Sequence, residues 1–75
     1  MTLLEIGERT MIHYPKGKSI TVHLIDGTDR KMVVSLIEIV SDPAGNGCIA
    51  RFGRDDGNGW HEFLAAPLTS IVSWD

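Results

Sequence analysis

Apolar and polar residues alternate most cleanly over Ser19–Leu24, with Ile20, Val22 and Leu24 on one face and Ser19, Thr21 and His23 on the other. That period of two predicts a half-buried strand. Asp26-Gly27 follows, a pair that tolerates the positive φ of a tight hairpin, so the chain is expected to turn there. Met32–Val40 is apolar on both faces and dense in β-branched residues, as befits a strand covered on two sides. The rest of the chain reads as organised around this hairpin.

The flanks carry weaker patterns. Thr2 and Glu5 have capping-box spacing and predict one short N-terminal helical turn. Arg9–Tyr14 is β-prone, and Pro15-Lys16-Gly17-Lys18 has turn chemistry, so a hairpin from Arg9–Tyr14 into Ser19–Asp26 is expected. Ser41–Gly47 is a loop rich in Gly, Pro and Asn. Cys48–Phe52 predicts a short strand and Gly53–Gly59 a second polar loop. Trp60–Leu64 resumes the strand pattern, Ala65–Leu68 breaks it with a turn of 3₁₀ type, and Thr69–Trp74 is the last strand. Short strands at this spacing predict an all-β fold, a small barrel of five or six antiparallel strands in one domain spanning residues 1–75. The expected core is Ile20, Val22, Leu24, Val34, Leu36, Ile49, Phe52, Phe63 and Ile71.

Composition narrows the function classes. Ten acidic against seven basic residues give a net charge of −3, which weighs against general nucleic-acid binding through phosphates. One cysteine, Cys48, excludes an internal disulfide and suits a reducing compartment. The apolar run at the N-terminus stops at Glu5, without a basic segment before it, so no signal peptide is read. No apolar run approaches the ~20 residues of a membrane span. A cytoplasmic protein without a membrane association is expected.

Ile20-x-Val22-x-Leu24-x-Asp26-Gly27 resembles the first motif of the Sm-like proteins, which include bacterial RNA chaperones. Trp60–Leu64, a break, and Ile71-Val72-Ser73 are similar to that family's last two strands, and SH3-like barrels end the same way. The resemblance covers roughly Ser19 to Trp74 and implies a five-stranded, strongly bent barrel. Lys31-Met32-Val33 lacks the glycine usual early in the family's second strand, and both RNA-contacting signatures are missing. RNA binding is therefore not carried over.

Candidate chemistry is sparse. Asp55 and Asp56 lack the alternating oxygen ligands of a calcium loop and suit a solvated hairpin. His13, His23 and His61 form no metal-ligand spacing, and no metal or cofactor is expected. His61 and Glu62 point to opposite faces of a strand, a poor acid–base pair. Trp60 and Trp74 suit either barrel-end packing or ligand contact. Lys16, Lys18, Arg30 and Lys31 flank the first two predicted turns, where they discourage aggregation or meet an anion.

No catalytic residue is assigned. The expectation is a non-catalytic interaction or assembly module that binds a protein or itself. Alternatives are an Sm-like RNA-binding protein, using the four cations with Trp60 for stacking, and a small-ligand barrel with a pocket near Trp60, His61 and Asp55. Val33, Ile37 and Ile39, the second apolar face of Met32–Val40, form the expected homo-oligomer interface; the alternatives are cover by Leu3–Ile6 and a long, strongly bent strand whose faces change roles along its length.

Overall fold

The computed structural model describes residues 9–45, 47–55 and 57–75. Five strands follow in chain order: β1 (Arg9–Leu24), β2 (Asp29–Ser41), β3 (Cys48–Asp55), β4 (Trp60–Pro67) and β5 (Ile71–Trp74). A 3₁₀ turn, Leu68–Ser70, joins the last two. Every pairing is antiparallel, and the order across the sheet is β4-β3-β2-β1-β5. The sheet curls into a half barrel, which fits the small all-β barrel expected from the sequence. The helical turn expected at Thr2–Glu5 and the loop carboxylate Asp56 lie outside the described residues.

The hairpin at Asp26-Gly27 forms as expected. Gly27 N–H donates to the Leu24 carbonyl at 3.0 Å, and Leu24 N–H donates to the Thr28 carbonyl at 2.9 Å. Gly27 closes this turn at φ +87°, a conformation that costs glycine nothing. Asp26 Oδ1 accepts the Thr28 N–H at 2.8 Å and fixes the turn further.

A second hairpin, expected at Pro15–Lys18, does not form. β1 runs through that segment as one strand with a wide bulge. His13 faces Leu36 and Lys18 faces Val34, so residues 14–17 stand against Ser35 alone. Pro15 has no N–H to give a ladder, and a bulge is where a strand tolerates that. The excess of β1 over β2 is three residues, an odd number. On β1 the inward set therefore stays even-numbered (Ile12, Tyr14, then Ile20, Val22), whereas on β2 it changes parity, from Met32 and Val34 to Ile37 and Ile39.

This parity change resolves the two apolar faces of β2. Ile20, Val22, Val34, Ile37, Ala50 and Phe52 form one buried cluster, although Val34 and Ile37 would point oppositely in a straight strand. The expected interface is thereby corrected. Ile37 is 0% exposed within a single chain, and Ile39 packs on the same core. Only Val33, 46% exposed, remains outside.

The expected core is largely present, with three exchanges. Ile37 takes the place of Leu36, because the bend turns the odd residue inward. Ala50 takes the place of Ile49, which has the opposite parity to Phe52. Leu64 takes the place of Phe63, because a register shift between Phe52 and Gly53 leaves Phe63 unpaired and 40% exposed. Trp74 packs into this core edge-on to Phe52, with ring centroids 5.3 Å apart at 85°.

Candidate functional site

The β1 bulge shapes the surface around it. Across from Ser35 it leaves a cleft of about 490 Å³. Met11, Pro15 and Leu36 supply its apolar lining, and His13, Tyr14, Ser35 and Asp55 its polar groups. Strand register brings these together: Met11 and His13 precede the bulge, Leu36 is paired with His13, and the Asp55 N–H donates to Ser35 Oγ at 3.0 Å. That last bond ties the end of β3 to the middle of β2. Another cleft, about 430 Å³, lies on the bulge itself between Tyr14 and Lys18.

The four expected cations divide into two pairs. Lys16 and Lys18 line the cleft on the bulge, where the Lys18 ammonium stands 5.4 Å from the centre of the Tyr14 ring. Arg30 and Lys31 lie at the far end of the same ladder, opposite Val22 and Thr21. Three residues of strand separate Lys18 from Thr21, roughly 10 Å at about 3.3 Å per residue. The Arg30 Nη2 donates to the Phe63 carbonyl at 3.5 Å, joining the start of β2 to the edge strand β4.

Trp60 and His61 open β4, against the end of β3. A Cβ on Gly53 would run into the Trp60 ring and the His61 carbonyl, so glycine is what lets Trp60 lie over β3. Trp60 is half-buried there, with the Arg51 guanidinium 5.9 Å from its ring. Its Nε1 is buried without a hydrogen-bond partner among the described residues. Arg51 is held between two carboxylates, at 2.6 Å from Glu62 Oε1 and 3.4 Å from Glu38 Oε1. The hydrogen bond to Glu62 is the main reason the Arg51 pKa rises further above its ordinary value. Trp60 is the register partner of Asp55 across the β3–β4 ladder, and His61 that of Arg54. Asp55 lines the bulge cleft, and Trp60 is packed against the Arg51 cluster.

Tyr14, Ser35 and Leu36 escape sequence reasoning as site residues. The available signal was a proline and a glycine inside a β-prone run, which marks a bulge as readily as a turn. His23 is also missed. Its Nδ1 lies 2.8 Å from Asp29 Oδ1 and its Nε2 lies 3.0 Å from Asp75 Oδ1. Among the described residues, no cluster of His, Cys, Asp and Glu is placed to hold a metal ion. No described helix is long and apolar enough to cross a membrane. Set beside known proteins, the chain matches no family model, no curated protein and no solved structure.

Proposed function

We propose that this chain is a non-catalytic interaction module, a small β-barrel that docks an extended protein segment in the cleft beside the β1 bulge. The observation that carries the reading is that cleft, which joins an apolar lining (Met11, Pro15, Leu36) to polar groups from three strands. Apolar contact supplies affinity, and the few placed polar groups supply orientation. The bent second strand, and a last strand that returns beside the first, accord with kinship to SH3-like and Sm-like barrels.

Selection from a displayed peptide library tests the reading. Enriched peptides should shift the amide resonances of Met11, Tyr14 and Leu36, and Leu36→Glu should weaken them at least about tenfold, ~1.4 kcal/mol. Where the docked segment belongs to a second copy, light scattering gives a mass above the 8.3 kDa of one chain. No enriched peptide together with a strictly monomeric chain sinks the proposal.

Nucleic-acid binding is the second reading, favoured by one observation: Lys16 and Lys18 share a cleft with Tyr14, so cations and a stacking ring stand together. It expects a gel shift with single-stranded RNA at low salt that weakens as salt rises and is lost in the Lys16→Glu/Lys18→Glu variant. No shift at low salt removes this reading.

A further inference from the structure

His23 stands where three parts of the chain meet. It is paired with Asp29 across the β1–β2 ladder and with Ser73 of β5 on its other side. One ring nitrogen faces Asp29 at 2.8 Å and the other faces Asp75 at 3.0 Å. An ionised carboxylate only accepts, so both bonds require an N–H on the ring. A neutral imidazole carries one N–H, and only the imidazolium carries two. The pair of bonds is therefore made in full by the protonated ring alone.

What this ring holds is a short edge strand of the sheet. β5 has four residues and, among the described residues, is paired with β1 only. Asp75 extends that attachment through two backbone bonds: Thr21 N–H to the Asp75 carbonyl at 2.9 Å, and Asp75 N–H to the Thr21 carbonyl at 3.1 Å. Asp29 sits across the hairpin from His23 and stays beside it whatever β5 does. Asp75 is brought to His23 only by the docking of β5.

We infer that His23 is a pH-operated clasp, fastening β5 to the β1–β2 hairpin when protonated and loosening it on losing that proton. The charged groups around it fit this role. Asp29 of β2 and Asp75 after β5 contact the ring, and Ile71–Trp74 of β5 has no titratable side chain. In the turn, Asp26 is occupied by the Thr28 N–H at 2.8 Å. Lys31 lies one pair further along the same face, opposite Thr21, and Arg30 reaches instead to the Phe63 carbonyl. The hydrogen bond to Asp29, then the one to Asp75, raises the His23 pKa above its ordinary value. A loosened β5 leaves the outer edge of β1 open, and an open edge accepts a strand from a partner.

The test is an NMR titration of the intact chain. It follows the His23 imidazole together with the exchange protection of the Thr21 and Asp75 amides, corrected for the intrinsic pH dependence of exchange. The imidazole should titrate above about 6.5, and Asp75→Asn should lower its midpoint. Protection of the two amides should fall as the ring deprotonates. By linkage, that fall equals the factor by which docking of β5 raises the ring's proton affinity, and Asp75→Asn should diminish it. In His23→Gln, protection should not change across the same range. Asp75→Asn keeps both backbone bonds to Thr21, so folding is not at stake in that variant, and circular dichroism checks it. An imidazole titrating at its ordinary value overturns the inference, as does equal protection on both sides of the titration. An undiminished fall in His23→Gln overturns it too.

Discussion

Gly53 is a residue whose replacement the fold opposes at short range. The atoms in the way of a Cβ are the Trp60 ring, which can move, and the His61 carbonyl, which belongs to a paired strand and cannot move alone. Gly53→Ala should cost on the order of 1–3 kcal/mol in denaturant unfolding, the usual cost of overpacking. Adding Trp60→Ala should recover only part of it, because the carbonyl remains. Ile37 presents the opposite case, a side chain surrounded on all sides. Ile37→Ala should cost about 2–5 kcal/mol, and Leu24→Ala less, because Leu24 is only half-buried. Ile37→Lys should abolish the folded state rather than dissociate an assembly, since it would bury an unpaired charge. Circular dichroism of these three variants orders them directly.

Among the elements, the bulge and the clasp respond to different variables. The His23 pKa is raised, so its contribution to stability is present in full below the unfolded value of about 6.5. It is lost as pH climbs through the higher folded value. Asp26 runs the other way: its pKa is lowered from 3.8, chiefly by the Thr28 N–H, so its contribution is present above that value and lost as pH falls through the lower one. Calorimetry should show a thermal midpoint that declines as pH rises above the ordinary imidazole value of about 6.5 in the native sequence and stays flatter in His23→Gln. The legibility of each element in the sequence follows its geometry. Ser19–Leu24 reads correctly because its inner face keeps one parity from end to end. Met32–Val40 does not, because a strand covered on two sides and a strand whose inner face changes midway share the same apolar pattern. The clue lay in β1, where Thr10, Ile12 and Tyr14 share parity with Ile20, Val22 and Leu24 across Pro15 and Gly17. The bulge cleft was beyond reading, since Met11, Ser35 and Asp55 meet only through register between strands. The hairpin pairs His23 with Asp29, yet nothing local announces Asp75 as its second partner.

At the level of the whole molecule, the order of the described strands puts β2 at the centre and leaves β4 and β5 as edges. Each edge is interrupted: the register shifts at Phe63 on β4 and at Val72 on β5, and both residues are exposed. Such irregularities blunt an edge against pairing with a neighbour. The central strand is another matter. Val33–Val40 is rich in β-branched residues, free of proline and glycine, and carries a single charge at Glu38, the composition of a segment that stacks into fibrils. In the native sheet Leu36–Val40 is paired with β1 on one side and β3 on the other, and Val33 and Val34 are paired with β1. Fraying at either rim strips β4 or β5 first and leaves that hazardous segment still sequestered. Fibril formation therefore waits on cooperative loss of the whole sheet. Across a series of variants that includes Gly53→Ala, thioflavin lag times should follow the denaturation midpoint and ignore the looseness of β5.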